Sequence, residues 1–270
     1  MSFAHNYPSC KAKNPKFGDS IKIGIKMFYY KKWAIVVPMA NEEVDFKPFI
    51  EMLNFVIDEL NPGNVYFVID KASNDRTLEL CQELSKKDSR YVTVWAPQNR
   101  NVVDAYVQGL RVAYEAGHDI IIEMDAGLSH DPRAIPMFLR VLNEGNECAF
   151  GSRFINGGSM GDSPFKRRML SKTGTVLANV LLGTNLRDMT SGFQGFHRDV
   201  VGKIITHDFK SKAHFYQTEL RYLLRKRRIF EVPIHYQAPS PRVSKNAIKN
   251  AYQTLFYYFF LRLSGKKPTL

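Results

Sequence analysis

Short apolar runs alternate with helix-spaced apolar residues along the first half of the chain. The apolar, β-branched runs predict buried strands. These runs are 33–38, 65–69, 91–95 and 120–122. Apolar residues with helical spacing predict helices between the strands. These segments are 46–60, 78–84 and 101–116. Strands that alternate with helices indicate an α/β fold with a mostly parallel central sheet flanked by helices.

The second half of the chain continues with strands and helices but alternates less regularly. Strand-like patterns cover 149–154 and 229–236. Helical patterns cover 165–182, 216–226 and 247–263. Neither a linker nor an internal repeat interrupts the pattern. We therefore predict one domain over residues 33–270, preceded by a basic arm over residues 1–32.

Charge and composition narrow the class of partner. The formal net charge of the 270 residues is +12, and the arm, with seven lysines and one aspartate, carries half of it. Such basicity favours an anionic partner such as nucleic acid, membrane headgroups or phosphorylated metabolites.

The cysteines and the hydropathy pattern bear on the compartment. Cys10, Cys81 and Cys148 are far apart and lack metal-ligand spacing, which favours a reducing compartment. No apolar run reaches the length of a membrane-spanning helix. We expect a cytoplasmic protein, peripheral to a membrane or associated with DNA.

Two strands are followed directly by an acidic turn. Asp70 follows the second strand, and Asp125 follows the fourth, where Ser129, His130 and Asp131 come close behind it. Open α/β sheets bind ligands at the carboxyl ends of their strands. The sequence therefore predicts a nucleotide site at this edge, although a lone aspartate more often only caps a turn.

Seven segments in order carry a resemblance to a known family. They are VVPMANEE (36–43), VIDKASNDRT (68–77), EMDAGLSHDP (123–132), FGSRF (150–154), LSKTGTVLANVLLG (170–183), LRDMTSGFQGF (186–196) and YQTELRYLLRKRRIFEVPI (216–234). From about residue 33 to 263 the chain resembles the family 2 glycosyltransferases of GT-A (Rossmann-like) fold, in the dolichol-phosphate mannose synthase-like branch. The resemblance implies inverting transfer of a sugar from a nucleotide-diphosphate sugar, either a UDP- or a GDP-sugar.

The resemblance also implies site residues. Those for nucleotide-sugar binding are Pro38, Asn41, Glu42, Asp70, Lys71, Asp125 and Ala126. A divalent cation, Mg²⁺ or Mn²⁺, would bind Asp125 and take up the charge of the leaving diphosphate. The family usually has Asp-X-Asp here, whereas this chain has Gly127 at the second acidic position. His130, Asp131 or a water would have to complete the shell, and His130 more simply forms the turn.

Five basic residues and one serine in the second half of the domain are candidates for phosphate and acceptor binding. They are Arg153, Arg167, Arg168, Lys172, Ser244 and Lys245, with Ser244 and Lys245 matching a late Ser-Lys of the family. Guanidinium groups bind phosphate bidentately. The alternative for Arg167 and Arg168 is a solvated helix start. The arginine that often follows Ser-Gly-Phe in the family is Gln194 here.

The acceptor decides whether a catalytic base is required. A lipid phosphate is already anionic, whereas a hydroxyl acceptor needs a carboxylate within hydrogen-bond reach. Asp188 and Glu219 are the candidate bases, and Glu219 could equally pair with Arg221 or Arg225.

Three functions remain open, and a growing polysaccharide is a further alternative for the acceptor. The branch resemblance implies a polyprenyl phosphate acceptor at a membrane face. The lysine arm and a second basic cluster instead favour DNA with hydroxymethylated bases. That cluster consists of Arg221, Arg225, Lys226, Arg227 and Arg228. The incomplete metal motif leaves a third possibility, a non-catalytic sugar-nucleotide-binding protein.

Overall fold

Seven strands form one mixed sheet in the computed structural model, which describes residues 30–161, 163–237 and 245–270. The strands are β1 (Trp33–Met39), β2 (Asn64–Ile69), β3 (Tyr91–Trp95), β4 (Ile120–Glu123), β5 (Cys148–Ser152), β6 (Gln194–His197) and β7 (Ile229–Pro233). Their order is β3-β2-β1-β4-β6-β5-β7. Strand β6 is antiparallel to β4 and β5, and the other pairings are parallel. The predicted α/β class with a mostly parallel sheet is confirmed.

Helices cover both faces of this sheet. They are α1 (Glu43–Ile57), α2 (Thr77–Lys87), α3 (Val102–Glu115), α4 (Ile135–Asn143), α5 (Phe165–Leu182), α6 (Arg198–Ile204), α7 (Tyr216–Leu223) and α8 (Lys245–Leu263). Helices α1, α2 and α4 pack on one face, and α3, α6 and α7 pack on the other.

The continuous apolar character of β1 follows from its position. Successive side chains of a strand point to opposite faces. Ile35 and Val37 therefore enter the core beneath α1, and Ala34 and Val36 enter the core beneath α3. A central parallel strand that is covered on both faces needs apolar residues at every position.

Three elements were not predicted, namely α4, β6 and α6. Strand β6 reads Gln-Gly-Phe-His and has no apolar run. Three of its four residues are nevertheless buried, because β6 lies between β4 and β5 within the sheet. Gln194 Nε2 donates a 2.6 Å hydrogen bond to the carboxylate of Glu123 on β4. This polar contact between strands is invisible to a hydrophobicity pattern.

Most of the predicted basic arm, together with Ser244, lies outside the described residues. The last three residues of the arm are described. Tyr30 is buried, and Lys32 Nζ donates a 2.6 Å hydrogen bond to the carbonyl oxygen of Ala116. The boundary between residues 32 and 33 stays a prediction.

His118 is expected to make the stability of the fold depend on pH. Its ring is buried, and Nε2 lies 2.9 Å from the hydroxyl of Tyr66. Burial, with a smaller effect of Lys32, lowers the pKa of His118 to about 4. Below pH 6.5, the ordinary value, the unfolded chain binds a proton that the folded chain excludes. The free energy of unfolding should therefore fall by about 1.4 kcal/mol per pH unit towards pH 4.

Urea unfolding of the wild type and of His118→Gln, measured at pH 7, 6 and 5, checks this expectation. The variant should show the flatter dependence on pH. Equal slopes for the two proteins would contradict it.

Candidate functional site

Two cavities open at the carboxyl edge of the sheet, and both are lined by Asp125 and His214. The first, which we call the polar cleft, has a volume of about 510 Å³ and lies between the loops that follow β1, β2 and β4 and the start of α3. Its lining includes six of the residues predicted for nucleotide-sugar binding. These are Pro38, Glu42, Asp70, Lys71, Asp125 and Ala126. The fold thus brings together side chains that are far apart in sequence.

Asn41, the seventh residue predicted for nucleotide-sugar binding, does not line the cleft. Its side-chain amide donates to the carbonyl oxygen of Ala72 at 3.1 Å and accepts from the backbone N–H of Asn74 at 2.8 Å. Asn41 adopts a positive φ of 60°, a conformation in which asparagine is enriched. Its contacts join the loop after β1 to the loop after β2, so it shapes the wall of the cleft.

Asp125 is held in place while part of its carboxylate stays open to solvent. The hydroxyl of Tyr106 donates to Oδ1, and 41% of the side chain is exposed. On the other side, the Asp125 backbone N–H donates to His130 Nδ1 at 3.0 Å. These contacts orient an acidic group at the junction of the two cavities.

His130 does not fit its predicted role as a metal ligand. Its ring is buried and stacks on Phe193 with centroids 5.0 Å apart. Burial lowers the pKa of His130, so the ring is neutral. Because Nδ1 accepts the Asp125 N–H, the proton is on Nε2, and no lone pair remains for a metal. His130 instead positions Asp125.

Directly before this turn lies a buried carboxylate that the sequence motifs did not identify as a site residue. Glu123 is fully buried and accepts hydrogen bonds from Gln194 Nε2 at 2.6 Å and from the Tyr216 hydroxyl at 2.9 Å. Burial, opposed by these two hydrogen bonds, raises its pKa to about 7. Tyr216 stacks on Tyr106, the residue that holds Asp125. Glu123 therefore holds Tyr216 in place, and Tyr216 in turn packs against the Tyr106 ring that positions Asp125.

Glu42 faces the same cleft from the loop that follows β1. Burial, and then the charges of Asp45, Asp125 and Asp75, raise the pKa of Glu42 to about 7. No described residue donates a hydrogen bond to its carboxylate. Glu42, Asp70 and Asp125 therefore all line the polar cleft, and no lysine or arginine of the described chain forms an ion pair with any of them.

The second cavity, which we call the apolar groove, has a volume of about 290 Å³ and lies between α5 and α8. Its apolar lining comes from both helices. These residues are Leu170, Gly174, Leu177, Ala178, Ala247, Ile248, Ala251, Tyr252 and Leu255. Asp125, Arg153 and Arg167 form its polar end. The groove therefore runs from a charged end at Asp125 to an apolar wall.

The predicted phosphate-binding residues separate into two groups. Arg153 and Arg167 line the apolar groove. Arg168, Lys172 and Lys245 are exposed on α5 and α8 and do not line it.

Both predicted catalytic carboxylates are buried and hydrogen-bonded within the protein. Asp188 accepts from Arg153 Nε at 2.7 Å and from Arg153 Nη2 at 2.9 Å. Burial works against ionisation of Asp188, but the hydrogen bonds and charge of Arg153 outweigh it, so the pKa of Asp188 is lowered. This ion pair holds the guanidinium of Arg153 at the end of the groove.

Glu219 is likewise fully buried. It accepts from the backbone N–H groups of Lys210 at 2.9 Å and Ser211 at 2.8 Å, and from the hydroxyl of Tyr258 at 2.7 Å. Neither carboxylate lines the described cavities. The geometry gives both a structural role rather than that of a base.

Four of the five residues of the second basic cluster are engaged within the protein, although Arg228 stays exposed. Arg221 is fully buried and donates to the carbonyl oxygen of Ser191 at 2.5 Å. Arg225 donates to the carbonyl oxygen of Pro268 at 2.7 Å. Arg227 and Arg228 both pair with Glu147, at 3.1 and 3.7 Å. Lys226 is exposed. The expectation that this cluster binds nucleic acid is therefore not supported.

Within the described ranges, no group of three His, Cys, Asp or Glu side chains is arranged to hold a metal ion. Asp131, a proposed alternative ligand, is paired with Arg133 at 2.6 Å. Asp70 also lines the polar cleft, but Asp125 and Glu42 are the acidic pair close enough for the charge of Asp125 to raise the pKa of Glu42. Such a pair fits a cation that takes its other ligands from a bound diphosphate, as Mg²⁺ commonly does.

His214 lines both cavities but carried no signal in the sequence. It precedes α7 and matches none of the quoted motifs. Only the packing of this loop beside Asp125 identifies it as a site residue.

Comparison with known proteins identifies the family of the chain. The family model described as glycosyl transferase family 2 matches residues 34–205. A polyprenol monophosphomannose synthase of Mycolicibacterium smegmatis is 28% identical over 84% of this chain and 85% of its own length. An undecaprenyl-phosphate mannosyltransferase of Micrococcus luteus is 29% identical over 74% of this chain and 82% of its own length.

A solved structure supports the same fold. It is glucosyl-3-phosphoglycerate synthase from Mycobacterium tuberculosis in complex with Mn²⁺, UDP and glucosyl-3-phosphoglycerate. The TM-score is 0.58 at 16% identity, over 87% of this chain and 80% of that one. The expected GT-A fold is confirmed.

Proposed function

Because the chain belongs to glycosyl transferase family 2 and is a glycosyltransferase, we propose that it transfers a sugar from a nucleotide-diphosphate sugar to polyprenyl phosphate. The observation that carries this proposal is the meeting of the polar cleft and the apolar groove at Asp125. A charged donor and an acceptor with a phosphate head and a hydrocarbon tail need such a pair of adjoining cavities. The names of the curated relatives point to the same class of acceptor.

The polar cleft is suited to the donor, a UDP- or GDP-sugar. Asp70 follows β2 and provides a hydrogen-bond acceptor for the base or ribose, while Pro38 and Ala126 provide apolar contacts. Lys71 brings a positive charge to the same cleft.

The leaving diphosphate requires positive charge in its neighbourhood. A divalent cation, Mg²⁺ or Mn²⁺, held by Asp125 would supply Lewis-acid stabilisation of the leaving oxygen when bound. The solved relative contains Mn²⁺ together with UDP, which supports this assignment.

Neither predicted base is accessible to an acceptor, and a phosphate acceptor does not require a base. The acceptor's phosphate oxygen attacks the anomeric carbon while the bond from that carbon to the diphosphate breaks. The anionic oxygen needs no deprotonation, so buried Asp188 and Glu219 are not required as bases. Arg153, oriented by Asp188, and Arg167 line the groove where the acceptor phosphate would bind.

The surface around the groove is suited to a membrane face. Large apolar side chains are exposed on α5 and α8. They include Phe165, Leu170, Val180, Tyr252, Phe260 and Leu263. Exposed basic residues such as Arg168 and Lys172 accompany them. Apolar and basic residues together favour binding at an anionic lipid interface. No helix in the described part of the chain is long and apolar enough to cross a membrane.

Narrowing the apolar groove should weaken the use of long acceptors. Ala251→Trp places a large ring in the groove, and we expect the KM for a long-chain polyprenyl phosphate to rise about tenfold, equal to about 1.4 kcal/mol of lost binding. A short-chain phosphate should be affected much less. The rates are measured with a panel of UDP- and GDP-sugars and Mg²⁺ or Mn²⁺.

Gln253→Trp is the matched control, because Gln253 is exposed on the same helix and does not line the groove. Its KM should stay at the wild-type value. Failure of the wild type to use any polyprenyl phosphate would overturn the proposed acceptor.

A further inference from the structure

Gly127 leaves a space that the carboxylate of Glu42 fills. A Cβ atom built on Gly127 would lie 2.7 Å from Glu42 Oε2 and 3.5 Å from Glu42 Cδ. Gly127 also has a φ of +68°, a conformation that disfavours most side chains. A side chain at residue 127 and the present position of Glu42 therefore exclude each other.

The loop that carries Glu42 is held firmly. The Glu42 backbone N–H donates to Thr77 Oγ1 at 2.8 Å, and the same hydroxyl donates to Asp75 Oδ1 at 2.6 Å. The Glu42 carboxylate, by contrast, receives no hydrogen bond from any described residue. It lines the polar cleft with Asp125, so its position is set by the backbone while its oxygens remain free for a ligand.

The other nearby candidates for a second ligand are already engaged. His130 Nδ1 accepts the backbone N–H of Asp125. Asp131 pairs with Arg133 at 2.6 Å and is buried. Glu42 is thus the acidic side chain that lies next to the position of the missing carboxylate.

We propose that Glu42 supplies the second protein carboxylate for the divalent cation, in place of the acidic residue that Gly127 lacks. This inference rests on the proposed function, because it assumes the donor and its cation. The two carboxylates come from the loops after β1 and β4, and the donor diphosphate provides further oxygen ligands. Cation binding is therefore expected to require the nucleotide, since two carboxylates alone hold Mg²⁺ or Mn²⁺ weakly.

Manganese binding, rather than turnover, tests this role. Mn²⁺ is titrated into the protein in the presence of saturating UDP or GDP, and free Mn²⁺ is followed by electron paramagnetic resonance. We expect Glu42→Ala to weaken Mn²⁺ binding by about tenfold or more. Asp45→Ala is the matched control, because Asp45 is an exposed carboxylate near Glu42, and its Mn²⁺ affinity should change less than threefold or so.

A double variant separates a ligand from a nearby charge. Gly127→Asp alone should lower Mn²⁺ affinity, because its side chain collides with Glu42. In the Glu42→Ala background the same substitution should restore binding to within about threefold of the wild type, since aspartate tolerates a positive φ. If Glu42→Ala binds Mn²⁺ as tightly as the wild type, the inference is wrong.

Failure of the proposed function would look different. In that case the wild type would bind neither UDP nor GDP in a thermal-shift assay without metal. If Glu42→Ala does not fold, Glu42→Gln keeps the shape of the side chain and serves in the same titration. A Glu42→Gln variant with unchanged Mn²⁺ affinity would also overturn the inference.

Discussion

Asp125→Asn is expected to lower kcat/KM for sugar transfer by about 10³-fold while the protein stays folded. The substitution removes the charge that would hold the cation at the junction of the two cavities, and a loss of this size corresponds to about 4 kcal/mol of transition-state stabilisation. The fold should tolerate it, because 41% of the side chain is exposed and the amide oxygen still accepts the hydrogen bond from Tyr106.

Initial rates with a sugar nucleotide and polyprenyl phosphate, together with thermal unfolding, measure both parts of this expectation. Asp45→Asn removes a carboxylate from an exposed position on α1 and should leave kcat/KM within about threefold of the wild type. Retention of most activity by Asp125→Asn would contradict a central role for Asp125. Lack of turnover in the wild type itself would instead favour the non-catalytic alternative.

Asp188→Ala is expected to destabilise the protein by about 3–5 kcal/mol. Asp188 is fully buried, and its partner Arg153 has only 4% of its side chain exposed. Without the carboxylate, the Arg153 guanidinium is left near buried Arg221 without its charge partner, and the backbone N–H of Thr190 loses its acceptor. The cost of an unpaired buried charge exceeds that of most single substitutions.

Urea unfolding at neutral pH measures this loss. Glu79→Ala is the control, because it breaks an exposed ion pair with Arg76 of similar length, 2.9 Å, and should leave the free energy of unfolding almost unchanged. A catalytic base would behave differently from a structural residue. If Asp188→Ala kept its free energy of unfolding but lost activity, the structural role assigned here would be wrong.

The part of the site that could be predicted from sequence consists of residues next to strand ends. Asp70 and Asp125 each follow an apolar run, and the carboxyl ends of neighbouring parallel strands meet at one edge. Once the strands are predicted, the shared position of these carboxylates follows from geometry. Residues such as His214 belong to no such pattern.

Contacts between distant segments could not be predicted in this way. Arg221 lies in a basic run that reads as a solvated surface, yet α7 turns it into the core, where it stacks over the ring of Phe150. Glu219 reads as a candidate base, but the hydroxyl of Tyr258 on α8 caps it. In each case the partner belongs to another helix or strand, so the local sequence pattern does not predict the contact.

The sequence by itself determined the α/β class, the glycosyltransferase family and the edge of the sheet where the chemistry lies, because hydrophobic periodicity and motif order are local properties. Only the tertiary structure decided which charges remain free to act. It buried Asp188 and Glu219, engaged His130 with Asp125, and brought Glu42 into the space beside Gly127. The physical reason is that burial and pairing depend on neighbours supplied by packing.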